Sequence, residues 1–435
     1  MTPYADRRRS LMAQMQPGAV AIVPTAPEAL RNGDADYPYR HDSYFYYLTG
    51  FPEPEAVVVL AAPNRSILFC RQKHPERETW DGFRYGPEAA GAAFGFDEAY
   101  PIEDIDAKMP DILANAPALH YAHGKHPALD AQVQRWTDAV RARARGGIVA
   151  PETTHNVRVA LDDMRLFKDE HEVAIMRRAG AVSGLAHERA MRATRPGMFE
   201  YEIEAELLHE FRRNGSQFPA YTPIVASGPN ACTLHYNANN RRIADGDLVL
   251  IDAGCELDGY ASDITRTYPA NGVFSGPQRT LYELVLAAQD AALKEARPGR
   301  PYSAMHEAAL RVLVQGMLDL KLIAGKTVEE ATAARDYLPF YMHGTGHWLG
   351  MDVHDVGQYR DLDAEGKPSR LLQPGMALTV EPGIYVRPGE GVPEAFWHIG
   401  IRIEDDVVIT PHGCDILSGA APKQVADIEH LMRQR

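Results

Sequence analysis

Four carboxylates stand where a carboxylate is costly. Asp252 follows the apolar run Leu248-Val-Leu-Ile, and Glu381 follows Ala377-Leu-Thr-Val, each six residues after a glycine, Gly246 and Gly375. Asp263 and Glu404 lie on later strand-like segments, 11 residues after Asp252 and 23 after Glu381. An ionised carboxylate buried without a partner is strongly disfavoured. One alone reads most simply as a strand-end residue bonding turn amides. Four at matched places in two halves of a chain read differently, because convergent carboxylates repel one another unless cations lie between them. Two divalent ions cancel the charge of four carboxylates, so the pattern predicts a binuclear metal site.

The histidines add nitrogen donors. In His343-Gly-Thr-Gly-His347-Trp-Leu-Gly-Met-Asp-Val-His354, three imidazoles fall within 12 residues. Gly344, Gly346 and Gly350 are interleaved with them, and tight glycine turns would crowd the side chains toward one point. His235 lies upstream of Asp252 in Cys232-Thr-Leu-His-Tyr-Asn. Near the end of the chain Ile399, Ile401 and Ile403 share one strand face, and His398, Gly400, Arg402 and Glu404 the other. Arg402 and Glu404, two residues apart, are either an ion pair or part of a site. Competing chemistries lack their signatures. His209-Glu210 and His306-Glu307 begin an H-E-x-x-H and fail, and Gly325-Lys-Thr327 has Leu320 where a P-loop needs its first glycine. There is no G-x-S-x-G.

The elements that must position these groups come in two rounds. Residues 169–194 and 199–213 read as helices, closed by Arg195-Pro196-Gly197 and Gly215, with strands expected at 221–226, 248–253 and 260–268. Helices recur at 276–296, closed by Arg297-Pro298-Gly299, and at 303–320, followed by strands at 377–380 and 399–403. A helix–helix–strand unit used twice is what an internal duplication with a pseudo-twofold axis leaves. Before these rounds the chain mixes strands at 19–23, 56–60 and 66–70 with a helix at 130–144. The aromatic-rich stretch 34–51 reads as packing, and Arg7-Arg8-Arg9 as capping or solvating a terminal helix. The fold class expected is α/β, with a first domain over 1–166 and a metal-binding domain over 167–435.

Composition narrows the function class. With 435 residues, 45% hydrophobic and 24% charged, the chain is not disordered, collagenous or coiled-coil. Its 45 Lys+Arg against 59 Asp+Glu, a formal charge of −14, argue against a dedicated binder of nucleic acid or of an anionic membrane. Cys70, Cys232, Cys255 and Cys414 form no C-x-x-C pair, so neither a zinc ribbon nor a disulfide framework is expected. No apolar signal segment or membrane-length run occurs, and a cytoplasmic protein is the expectation.

The order Asp252, Asp263, His347, Glu381, Glu404, with His235 and His354 beside it, resembles the metallopeptidases of the pita-bread fold, among them methionine aminopeptidase, prolidase and aminopeptidase P. The His343 segment, continuing to Gly357, and Glu381-Pro-Gly-Ile-Tyr385 are similar to the proline-specific branch. The stretch from Arg31 to Ala56, which includes Tyr44-Phe-Tyr-Tyr-Leu-Thr-Gly-Phe-Pro-Glu-Pro, looks like the bacterial aminopeptidase P family.

The resemblance implies a pita-bread catalytic domain, and an N-terminal aminopeptidase P-type domain that narrows the entrance and helps build a homotetramer. It implies two divalent metal ions per subunit: Asp263 and Glu404 bridge both, Asp252 chelates one, and His347 with Glu381 completes the other. A mostly oxygen shell with one imidazole suits Mn²⁺ better than Zn²⁺. The reaction implied is hydrolysis of the bond between the first residue of a peptide and a proline in second position, by a metal-bridging hydroxide. His354 would donate to the oxyanion, Glu381 would shuttle the proton to the proline nitrogen, and His235 would hold the substrate backbone. Arg402 would orient carboxylates, with His343 nearby and Tyr221 and Tyr385 as network or substrate contacts. Trp80, in Glu78-Thr-Trp-Asp-Gly82, would reach a neighbouring subunit's active site; from sequence alone a core tryptophan is as good a reading. A prolidase, which cuts Xaa-Pro dipeptides only, would use the same metal site. A non-catalytic binding module on this fold typically lacks ligands, and here all five are present.

Overall fold

The computed structural model describes residues 3–434. Its contacts divide into two units, Met1–Arg165 and Leu166–Arg435.

The first unit is built on a mixed sheet of six strands in the order Glu98–Pro101, Arg65–Cys70, Val57–Ala61, Val20–Pro24, Ala118–His120, Thr153–His155. Val57–Ala61 pairs antiparallel with both neighbours, and its Val/Leu-rich run is buried, as a strand covered on both faces requires. The helix Pro127–Arg141 buries Leu129, Val133, Trp136 and Val140, one stripe at helical spacing, against that sheet. Pro127 takes its first turn, where the missing N–H costs nothing.

Of the basic triplet only Arg9 faces solvent. Arg7 donates to Tyr47 O at 3.2 Å, and Arg8 to Leu48 O at 3.0 Å and Phe94 O at 3.1 Å, both side chains being buried. These carbonyls end the helices Ser43–Thr49 and Gly86–Phe94, where no intrahelical partner remains and the dipole favours a cation. The solvated-cap reading fails for that reason. The aromatic stretch divides: Phe45, Tyr47 and Phe51 are buried, whereas Tyr37 is exposed.

The second unit repeats its order. The helices Glu170–Ala193 and Glu200–Arg213 precede the antiparallel strands Ile224–Ser227, Leu248–Asp252 and Thr265–Pro269. The helices Gly276–Glu295 and Ser303–Asp319 precede Ala377–Val380, Asp405–Thr410 and Gly413–Ile416. The first helix of each pair opens with a capping box, Asp169 with Glu172 and Ser275 with Gln278. Every residue of Leu248–Asp252 and of Ala377–Val380 is buried, and one apolar core joins Val249, Ile251, Leu378 and Val380 to Leu281, Val285 and Leu313.

The single strand expected over 260–268 is two, Tyr260–Ala261 and Thr265–Pro269. Between them the Asp263 N–H donates to the Asp406 carboxylate at 3.1 Å, and an amide given to a side chain is lost to the ladder. Among the described residues no helix is long and apolar enough to cross a membrane.

Candidate metal centre

The break at Asp263 belongs to a seam between the two halves of the second unit. Glu404 N–H donates to Thr265 O at 3.1 Å, Thr265 Oγ1 to Glu404 Oε2 at 2.7 Å, and Thr267 Oγ1 to Arg402 O at 3.0 Å. Asp252 ends its strand, Glu381 directly follows Ala377–Val380, and Glu404 directly precedes Asp405–Thr410, so each is delivered to the seam by a strand end. One donor atom each from Asp263, His347 and Glu404 lies within 4.8 Å of the others. His347 Nε2 is 3.3 Å from Asp263 Oδ2 and 3.8 Å from Glu381 Oε1. The Tyr221 hydroxyl lies between Asp252 and Asp263, 2.5 Å from Asp263 Oδ1. The four carboxylates line one cavity of about 330 Å³ together with His235, His343, His347, His354 and Arg402.

His347 is held from several directions. Its N–H donates to Thr379 Oγ1 at 3.2 Å, its carbonyl accepts the Thr379 N–H at 2.9 Å, and its Nδ1 meets Trp348 O at 3.0 Å, which leaves Nε2 for the carboxylates. Gly344, Gly346 and Gly350 all lack positive φ, so the tight-turn explanation for them fails. Two of them answer instead to space: a Cβ at Gly346 would stand 2.0 Å from Thr379 O, and one at Gly350 would stand 2.1 Å from Asp355 Oδ2. Asp355 in turn pairs with Lys168 at 2.8 Å, both side chains nearly fully buried, which anchors the segment bearing His354. The His354 ring centroid is 4.1 Å from that of His347.

Among the described residues, Arg402 is the one guanidinium lining this cavity. It donates to Asp252 Oδ2 at 2.5 Å, Thr265 Oγ1 at 3.1 Å and the Tyr385 hydroxyl at 3.0 Å, and His343 Nε2 meets the same hydroxyl at 2.9 Å. An Arg402–Glu404 ion pair is not formed. Arg402 is the last residue of the strand Ile399–Arg402, so the alternation that put both on one face stops before Glu404.

Four carboxylates against one guanidinium cannot all ionise unaided. Burial and mutual repulsion push Glu404 well above the usual carboxylate range, push Asp252 up, and bring Glu381 to about 7. Burial also opposes ionisation of Asp263 and of His347, but the hydrogen bond and charge between them win, lowering Asp263 and raising His347 to about 9. Burial takes His343 down to about 3. A cluster that must otherwise take up protons is a place for cations, and its oxygen-rich donor set with one imidazole fits a divalent metal.

Three participants were missed from sequence. Thr265 bonds Glu404, and Asp406 receives the Asp263 N–H; the signal was the run Glu404-Asp405-Asp406 entering a buried strand. Glu200 is fully buried, and its carboxylate accepts from Ser227 N and Oγ at 2.7 Å each, Asn230 at 3.1 Å, the Tyr236 hydroxyl at 2.7 Å and Arg241 N at 2.9 Å. As the first residue of a helix it reads as an ordinary N-terminal acid. Trp80, on the helix Pro75–Asp81 of the first unit, is 85% exposed, which removes the core reading.

The profile of metallopeptidase family M24 matches residues 174–411, and that of the aminopeptidase P N-terminal domain matches residues 4–120. The chain belongs to metallopeptidase family M24. This M24 peptidase is 45% identical to the Xaa-Pro aminopeptidase of Escherichia coli (strain K12), over 99% of its own length and 97% of the relative's. An aminopeptidase structure from Pseudomonas aeruginosa superposes with a TM-score of 0.96 at 51% identity, covering 99% of this chain and 97% of that one. A glutamate-to-alanine variant of Escherichia coli aminopeptidase P in complex with substrate superposes with a TM-score of 0.95 at 44% identity, covering 99% and 98%. The α/β fold of this M24 peptidase is thus an N-terminal aminopeptidase P domain followed by a pita-bread domain, as expected, and the protein is a metal-dependent hydrolase.

Proposed function

We propose that this protein is an Xaa-Pro aminopeptidase, releasing the first residue of peptides that carry proline second. The observation that carries the reading is the convergence of Asp252, Asp263, His347, Glu381 and Glu404 on one cavity in a chain whose relatives are named for this activity. The N-terminal match to the aminopeptidase P domain favours it over a dipeptide-only prolidase.

These five side chains would hold two divalent ions, with Mn²⁺ favoured by a donor set that is mostly oxygen. When bound, such ions acidify water and act as Lewis acids on a carbonyl oxygen. The protein's own groups do the rest. His354 donates to the oxygen of the carbonyl under attack. The leaving nitrogen of proline belongs to a tertiary amide with no N–H, so it must gain a proton as the bond breaks, and Glu381 holds and delivers that proton. His235 bonds the substrate backbone. Arg402 holds Asp252 and Tyr385 in place, Tyr221 spaces Asp252 from Asp263, and His343 walls the cavity with its Nε2 held by the buried Tyr385 hydroxyl.

The first unit, over 1–166 in our reading, helps to assemble a homotetramer, and the compartment we infer is the cytoplasm. An indole as exposed as that of Trp80 supports its use by a neighbouring subunit.

Mn²⁺-loaded protein is expected to release the first residue of an Xaa-Pro-Xaa tripeptide and to stop when the metal is chelated. Cleavage of the Xaa-Pro dipeptide alone would make it a prolidase, and silence on both with metal bound would return the binding-module reading.

Glu200 gives a second expectation. Replacing it with alanine frees Tyr236 and the loop bearing His235, and leaves several buried donors unpaired, each costing about 1–3 kcal/mol. KM should rise more than kcat falls, with stability reduced, and Glu200→Gln should recover part of both. Unchanged KM in Glu200→Ala would separate Glu200 from His235.

A further inference from the structure

Each half of the second unit sends one polar side chain from the buried face of its first helix toward the carboxylates. His187, on Glu170–Ala193, and Gln289, on Gly276–Glu295, are both fully buried. They stand 18 residues after the N-cap Asp169 and 14 after the N-cap Ser275, one helical turn apart, so the two halves place them on corresponding faces. Polar groups at such depth persist only where they are hydrogen-bonded. The Gln289 Nε2 lies 3.2 Å from Val380 O, from Ile403 O and from Asp405 Oδ2, and its Oε1 accepts from Lys423 Nζ at 2.9 Å. Lysine only donates, which fixes the amide with its N–H groups toward the carbonyls. Val380 and Ile403 are the residues directly before Glu381 and Glu404. In the other half His187 Nε2 donates to Ala253 O at 2.9 Å, and the Ala253 N–H donates to Ile264 O at 3.0 Å. Ala253 and Ile264 directly follow Asp252 and Asp263. A carbonyl only accepts, so Nε2 carries the hydrogen, and burial keeps the ring neutral with its pKa down to about 4.

We propose that His187 and Gln289 are paired positioning residues of the metal centre, each fixing the backbone beside two of the four carboxylates and so the spacing that the ions require. The inference rests on the metal-centre reading and deepens it. The four carboxylates stand at the ends of strands or just outside them, where the ladder restrains the chain least. Like charges gathered there push their own segments apart. A donor anchored in the middle of a long core helix opposes that drift, and one donor reaches both carboxylates of its half, through Ala253 and Ile264 or through Val380 and Ile403. Neither side chain is among the residues lining the cavity, so both act through the ligands and not on the substrate. Groups that orient ligands in this way carry roughly ten- to a hundredfold in metal affinity.

The test is calorimetric titration of the metal-free full chain with Mn²⁺, beside steady-state cleavage of an Xaa-Pro-Xaa tripeptide. Gln289→Met and His187→Leu remove the donors at nearly constant volume and should each weaken Mn²⁺ binding by roughly tenfold or more. Activity should fall at limiting Mn²⁺, return at saturating Mn²⁺, and keep the native KM. His187→Gln, which supplies the amide that serves the other half, should recover the affinity that His187→Leu loses. Gln289→Asn keeps the amide but withdraws it by one methylene, and should weaken binding in the same direction if Gln289→Met does not fold. Affinity within about twofold of native in a folded variant without the donor, or equal losses in His187→Leu and His187→Gln, overturns the positioning role while leaving the metal centre intact. A native chain that takes up no Mn²⁺ overturns both.

Discussion

Replacing Glu381 with alanine is expected to lower kcat/KM for an Xaa-Pro-Xaa peptide by at least about a thousandfold. Two functions are lost at one position. The carboxylate stands with Oε1 3.8 Å from His347 Nε2 and Oε2 3.8 Å from His343 Nδ1, lining the acid cavity, where on the proposed mechanism it would both hold a metal ion and carry the proton to the leaving nitrogen. A tertiary amide cannot depart as an unprotonated nitrogen without a large barrier, so the missing proton carrier weighs on kcat. The missing ligand weighs on metal affinity. The two separate experimentally: calorimetric titration with Mn²⁺ reads the ligand, and single-turnover release at saturating Mn²⁺ reads the proton. Glu381→Gln keeps an oxygen donor and loses the titrating group, so its metal affinity should stand above that of the alanine variant while its turnover stays low. Turnover of Glu381→Ala within tenfold of native at saturating metal would remove Glu381 from the proton path.

Asp405→Ala should cost about 3–5 kcal/mol of stability in the second unit. The side chains of Arg266 and Asp405 are both fully buried and meet at 2.7 Å. Arg266 also donates to Thr265 O at 2.9 Å and Glu404 O at 2.5 Å, so it clasps the seam on which the proposed metal ligands stand. Asp405 further accepts from Lys423 at 2.6 Å and Ser418 at 2.7 Å. Removing the carboxylate strands a cation in the core. Burial opposes the charge of Asp405, but Arg266 and Lys423 overcome it and hold this carboxyl far below its ordinary value. A group depressed on folding stabilises the folded state above its unfolded pKa, about 3.9 for Asp, and loses that contribution as pH falls through the folded value. The stability gap between native protein and Asp405→Asn should therefore be full above about pH 4 and shrink below it. Hydrogen exchange over 265–269 and 405–410 across pH 3–7 reads the gap within the second unit. A gap that does not change with pH would mean that shape, not charge, holds the seam.

Several features that place the site were open to reading without coordinates, and the reason is that they are local. Asp252 and Glu381 betray themselves because each ends an apolar run that should be buried, and burial of a lone acid is too costly to be accidental. The paired helices announce their starts by capping residues and their faces by period, both set within a few positions. The five candidate ligands, and the resemblance they carry, follow from such local signals plus their order.

What stayed hidden was every choice among distant partners. Arg402 had Glu404 two positions away and took Asp252, 150 residues distant, because its strand ended first. Asp263 left its strand for Asp406, 143 residues on. Arg7 and Arg8 went to helix-end carbonyls some 40 and more residues away, and Gly346 was required by the carbonyl of Thr379 rather than by any turn. The amino-acid sequence by itself determined which groups are chemically expensive to bury and how the segments that bear them fold locally. Only the tertiary structure decided which expensive group offsets which, because a buried charge takes the partner that packing brings within about 3 Å, whatever its distance along the chain.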